Sequence, residues 1–271
     1  MSGSISSRGF TRVLTIALAS VVLGWVNAAN AAPGLEQASR IVAEPFGLAM
    51  QALPEGPLSA KWRGVERAIQ GELKIIAACR SDRSSCASIP ALQFLKIVDD
   101  ALAQTGLARV GEINRAFNLA IRPVSDRAQY GVEDLWTSPL ATLAAGAGDC
   151  EDYAIAKFVA LREAGVSPDD LRLVILRGIS NGEDHAVLAV RVEGRWRMLD
   201  NRYFLMLEDC DVTKFEPLFA IDSGGVNRFE QPPVAMAALN TKMADDALST
   251  SAIAPQIAPM PDDEFCQIHP M

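Results

Sequence analysis

The sequence predicts an α+β fold, a helical front followed by an antiparallel sheet. Apolar residues recur at three- and four-residue spacing through the first half of the chain. Gly and Pro then punctuate a stretch without sustained periodicity, and short β-rich runs follow, two of them joined by Glu193-Gly194. Helices and strands segregated in this way along a chain make an α+β domain rather than an alternating α/β one.

At the N-terminus, Arg8 and Arg12 precede an apolar run from Val13 to Val26, and small residues end in Ala29-Asn30-Ala31. This is the layout of a secretory signal peptide. The run of about 14 residues falls short of the roughly 20 needed to span a bilayer, so cleavage near Ala31 and a periplasmic protein are expected. Residues 1–31 are accordingly assigned to the signal, 32–230 to one globular domain and 231–271 to a tail. In the domain, Leu58, Trp62, Val65, Ile69, Leu73 and Ile76 mark an amphipathic helix over Pro57–Ala78, with further helical patterns at Pro90–Gln104 and Leu107–Ile121. Between Arg122 and Gly148 the pattern weakens into a loop region. Helical spacing resumes after Asp149-Cys150-Glu151-Asp152 and stops at Gly165 and Pro168. Strands are predicted at Leu171–Leu176, His185–Val192 and Arg195–Leu199. Beyond about Phe229 the chain is rich in Pro and Ala, which predicts a poorly ordered extension.

With 33 acidic and 25 basic residues the formal charge is −8, and loss of Arg8 and Arg12 with the signal would leave −10. No basic stripe offers itself to nucleic acid, which excludes that class of partner. Five cysteines in an exported chain raise the question of pairing. Cys79 and Cys86 sit close enough in sequence to close a small loop, Cys210 and Cys266 are the next possible pair, and Cys150 is the odd one.

Cys150 is the candidate nucleophile. It falls at a predicted helix N-terminus, where unpaired backbone N–H groups and the helix dipole favour a thiolate. Asp149, Glu151 and Asp152 oppose a further negative charge unless they point away or a cation neutralises them. Of the two histidines, His269 is two residues from the C-terminus, which leaves His185 as the candidate base. If Glu193-Gly194 is a two-residue turn, Val192 pairs with Arg195, and Val187 would pair with Asp200. His185 and Asp200 then lie diagonally on one sheet face, within reach of a hydrogen bond. Taken singly, each has an ordinary structural reading: an inert thiol, a strand-end histidine, a turn former.

The blocks Trp136-Thr137-Ser138-Pro139-Leu140, Gly148-Asp149-Cys150-Glu151-Asp152-Tyr153-Ala154, His185-Ala186-Val187-Leu188 and Leu199-Asp200-Asn201, with Tyr130-Gly131 upstream, resemble the bacterial transglutaminase-like cysteine peptidases, the group that includes the LapG-type periplasmic proteases. The resemblance spans roughly Pro45 to Phe229. It implies a papain-like transglutaminase core in which Cys150, His185 and Asp200 match the family triad. It also implies calcium held beside the nucleophile by Asp149, Glu151 and Asp152. A protein substrate of the cell-surface adhesin kind and an inner-membrane regulatory receptor are further implications. Three other outcomes stay open: acyl transfer to an amine, as in a transglutaminase; an exported binding module that keeps the fold; and a calcium-dependent structural role for the acidic block.

Overall fold

The computed structural model describes residues 43–231. The expected signal sequence, the C-terminal extension, His269 and Cys266 lie outside the described residues. In chain order the elements are β1 (Met50–Ala52), α1 (Pro57–Ser81), α2 (Ile89–Leu102), α3 (Gly106–Ala120), β2 (Arg122–Pro123), α4 (Asp126–Tyr130), α5 (Pro139–Ala145), β3 (Ala147–Gly148), α6 (Cys150–Glu163), β4 (Leu171–Gly178), β5 (Asp184–Val192), β6 (Arg195–Leu199), β7 (Leu207–Glu208), β8 (Phe215–Asp222) and β9 (Gly225–Phe229). The α+β class read from the sequence is the class of the molecule.

The helices form for local reasons that the sequence states. Pro57 opens α1 at a position where its missing N–H is not needed, and Trp62, Val65, Ile69 and Ile76 make the buried stripe. Ser88 caps α2 by accepting the Ala91 N–H. A disulfide between Cys79 and Cys86 ties the end of α1 to the approach of α2, the first of the two cysteine pairings considered. Cys210 is exposed and free, so the second pairing, with Cys266, is not made.

Helix α6 is different: every residue from Cys150 to Leu161 is buried, Lys157 included. A helix enclosed on all sides is a central helix, not a surface one. It packs against β4 and β5 on one side and against α2, α3 and α5 on the other.

The strands form one seven-stranded antiparallel sheet in the order β1-β9-β8-β4-β5-β6-β7, with β2 and β3 a separate parallel pair. Leu171, Leu173, Ile175, Ala186, Leu188, Val190 and Leu199 turn towards the helices, while Val174, Leu176, Val187, Ala189, Trp196 and Met198 make a second core on the other face. The hairpin has the register expected from sequence, Val192 opposite Arg195 and Leu188 opposite Leu199. Glu193 and Gly194 both adopt positive φ, 54° and 78°, as a type I′ turn requires. The ladder stops at Leu188–Leu199, so the expected Val187–Asp200 pair is not part of the sheet.

The structure differs from the sequence expectation in several places, and α1 runs three residues beyond Ala78. The stretch read as a loop, 122–148, contains the short elements β2, α4, α5 and β3. The β4 strand runs two residues beyond the predicted end at Leu176. Strands β1, β7, β8 and β9 were not foreseen. Pro217 lies within β8 and cannot donate to a ladder, and the β4–β8 register shifts between Ile175 and Leu176 just where Leu176 meets Pro217.

Candidate active site

Cys150 is the first residue of α6, with Asp149 as the N-cap residue in extended conformation. The turn into the helix is tight. A Cβ on Gly148 would stand 2.6 Å from Asp152 Oδ2 and 2.8 Å from Asp152 Cβ, so only glycine lets the strand-to-helix turn close over the first helical residues.

The packing of α6 against β5 brings the sulfur to the sheet. Cys150 Sγ accepts the Ala186 N–H at 3.1 Å, and it lies 3.3 Å from Glu151 Oε2. The sulfur is therefore beside the main chain of the residue that follows His185. Any nucleophilic role of Cys150 belongs to its reduced form.

His185 is fully buried, its ring 5.7 Å from that of Phe215. Its Nε2 is 2.9 Å from Asp200 Oδ2. The proton on Nε2 then points at the carboxylate, and Nδ1 is the nitrogen left to accept one; Nδ1 is buried with no hydrogen-bond partner among the described residues. Burial pushes the imidazole below its ordinary range, while the charge and hydrogen bond of Asp200 pull the other way. The Asp200 carboxyl is raised by burial, but His185 and Arg202 outweigh this and hold it well below the usual carboxylate range. Its second oxygen accepts the Arg202 N–H at 2.9 Å. His185 and Asp200 are thus brought into contact, with the Cys150 sulfur beside the main chain of the residue after His185, although Asp200 is reached by a bend after β6 and not by the sheet ladder.

The acidic block forms part of a larger cluster. Asp126, Asp149 and Asp152 offer one oxygen each within 4.8 Å of one another, and so do Asp126, Asp134 and Glu151. The sequence pointed to Asp149, Glu151 and Asp152; the structure adds Asp126 from α4 and Asp134 from the loop behind it, with Asp126 common to both groups. No spacing signal links residues 15 to 26 positions apart, so these two could not be read from the chain.

The cluster is electrostatically demanding. Burial, then the charge of Asp152, pushes Asp149 up to about 8; burial raises Asp152 to about 7 despite its bonds from Thr137. Glu151 is driven well above the ordinary range by burial and by Asp149 and Asp152. Asp126 Oδ1, Asp134 Oδ1, Asp149 Oδ1 and Asp152 Oδ2 are buried without hydrogen-bond partners among the described residues. Lys61 pairs with Asp134, and the Leu135 N–H and Thr137 hold the outer oxygens of Asp126 and Asp152. An all-oxygen set with orphaned inner atoms fits a hard divalent cation such as calcium.

A family model of the bacterial transglutaminase-like cysteine proteinases matches residues 72–211. A search of curated proteins found no match. Among solved structures, calcium-bound LapG of Legionella pneumophila is 22% identical, with 63% of this chain and 97% of that chain covered at a TM-score of 0.48. The EGTA-treated form is 22% identical, with 57% and 83% covered at a TM-score of 0.47. Another Legionella pneumophila LapG structure is 20% identical, with 64% and 95% covered at 0.47. Because the family match takes in more than half of the sequence and spans the Cys150, His185 and Asp200 positions, the chain belongs to the bacterial transglutaminase-like cysteine proteinases.

Proposed function

We propose that this cysteine peptidase is an exported, calcium-dependent protease in which Cys150 is the nucleophile, His185 the general base and Asp200 the group that orients the base. The observation that carries the reading is the 2.9 Å contact of His185 Nε2 with Asp200 Oδ2 while Cys150 Sγ sits against the Ala186 N–H.

In the reduced enzyme, His185 Nδ1 takes the Cys150 proton, and the thiolate attacks a peptide carbonyl. Backbone N–H groups at the start of α6 face the developing oxyanion. The C–N bond breaks as the imidazolium returns its proton to the leaving amine. Water, deprotonated by His185, then opens the thioester and frees Cys150. Asp200 stays ionised throughout and stabilises the imidazolium, as its depressed pKa requires. Asp126, Asp134, Asp149, Glu151 and Asp152 would hold calcium, which when bound supplies positive charge beside the sulfur and offsets the repulsion that these carboxylates impose on a thiolate.

The family resemblance and the calcium-bound relative support calcium dependence. The leader-like N-terminus supports a periplasmic location, and among the described residues no helix is long and apolar enough to cross a membrane. The substrate then is an exported protein of the surface-adhesin kind, and an inner-membrane receptor is the regulator to look for.

The test is the pH dependence of Cys150 alkylation by iodoacetamide in reduced protein, with calcium and with chelator, beside H185A. The expected result with calcium is a thiol that stays reactive well below pH 8.5, the ordinary thiol range, and loses this in H185A. An ordinary pH dependence in both would overturn the nucleophile assignment. On a cleaved substrate, a new N-terminus marks proteolysis and an isopeptide marks acyl transfer.

A further inference from the structure

Lys157 is a charged side chain with no exposure, in the middle of a helix that is buried all round. Burial lowers its pKa to about 7, against the upward pull of the Asp200 charge. An ammonium is expensive to bury, and an apolar side chain of the same length would fill the space at less cost. Its contacts show what it does. It lies seven residues after Cys150, two turns along, and therefore on the same face of α6.

From that face Nζ donates to the main-chain carbonyls of Asp200 at 3.1 Å and Leu199 at 3.5 Å, over the ring of Tyr153. The Asp200 carbonyl accepts a second bond, from Asn118 Nδ2 of α3 at 2.9 Å. Asn118 and the buried Asn114 continue the ladder to the carbonyls of Tyr203 and Phe204. Asp200 has left the sheet, since β6 ends at Leu199 and its last ladder pair is Leu188–Leu199. Nothing in the strand register fixes it; two helices grip its carbonyl instead.

We propose that Lys157 is a positioning residue for the reaction: with Asn118 it holds the Asp200 backbone beyond the end of β6, so that the carboxylate meets His185 Nε2. One helix then carries the nucleophile at its first residue and locates the far member of the triad from its middle. The charged groups that face Lys157 and His185 are Asp200 and Arg202, and the Lys157 charge itself disfavours a proton on His185. This inference rests on the triad reading above.

The experiment is the rate of Cys150 acylation by p-nitrophenyl acetate, read by nitrophenolate release over pH 5 to 9, in the full reduced chain with calcium. The proteins are the unaltered chain, C150A, D200N, K157M and K157M/D200N. K157M is expected to lose at least tenfold in acylation rate, and the double variant to be no slower than D200N, because a residue acting through Asp200 has nothing left to position. A smaller loss in K157M, or losses that multiply in the double variant, overturns the proposal, since a merely structural lysine would lower the rate independently of Asp200. If K157M does not melt cooperatively, K157Q replaces it with the same expectations, its amide one atom too short to span both carbonyls. If C150A or D200N acylates like the unaltered chain, the triad reading itself has failed; with both impaired and K157M at full rate, Lys157 alone is removed from the mechanism.

Discussion

At the scale of one residue, the site turns on which nitrogen of His185 carries the proton. Asp200 accepts from Nε2 and so leaves Nδ1 as the base. The buried ring is biased towards its neutral form, which is the form a base needs before reaction. Changing Asp200 to Asn replaces an acceptor by an amide that can donate, which favours the opposite tautomer. D200N is expected to lower kcat by about 10³-fold or more, with a much smaller effect on KM. Steady-state kinetics on a cleaved peptide would show it, and an unchanged kcat would remove Asp200 from the reaction. Cys150 carries a second expectation. Because the thiolate is the nucleophile, alkylation of Cys150 should abolish activity.

At the scale of elements, the start of α6 is where three carboxylates of one helical turn meet two from the α4 segment. Asp126 belongs to both oxygen groups, so it should matter more to a cation than its distance in sequence suggests. D126N is expected to weaken calcium binding at least tenfold, by calorimetry on the chelator-stripped protein. Unchanged affinity would show that α4 supplies no ligand. The helical front offers a different kind of test. The Cys79–Cys86 link closes a loop with a sequence separation of 7 between α1 and α2. In the loop-entropy account its removal in C79A/C86A should lower unfolding free energy by about 2–3 kcal/mol, leaving the distant α6–β5 contact intact. Denaturant unfolding measures the first part, and the Cys150 alkylation rate checks the second.

For the whole molecule, the carboxylate cluster makes stability depend on pH and on cation together. Asp149 at about 8 and Asp152 at about 7, against ordinary values of 3.8, hold protons in the folded state that the unfolded chain has already released. The folded state then binds more protons between about pH 4 and 8, so in chelator stability should fall as pH rises through that window. His185 pulls the other way, since its depressed pKa penalises folding as pH drops below 6.5, but it is one group against the cluster. Calcium binds the ionised carboxylates and should reverse the trend, releasing protons as it binds. Thermal unfolding at pH 5 and pH 8, with calcium and with chelator, checks this. A melting temperature in chelator that rises towards pH 8 would contradict it.

What the sequence determined by itself is what is local. Helix stripes at α1, α2 and α3, the Glu193-Gly194 turn and the hairpin register are written in spacing and turn chemistry, and they carry the β5–β6 ladder as far as Leu199, one residue short of Asp200. The helix-start cysteine was legible for the same reason, because the Gly148-Asp149 turn precedes it immediately. Strand β8 was hidden by Pro217 and its bulge, which break the alternation a strand is read from. Only the tertiary structure decided which distant groups converge: Asp126 and Asp134 on the acidic turn, Asn118 and Lys157 on the Asp200 carbonyl, and Ala186 on the sulfur. Those contacts join elements far apart in the chain, and they arise from the burial of α6 between sheet and helices, which no local pattern encodes.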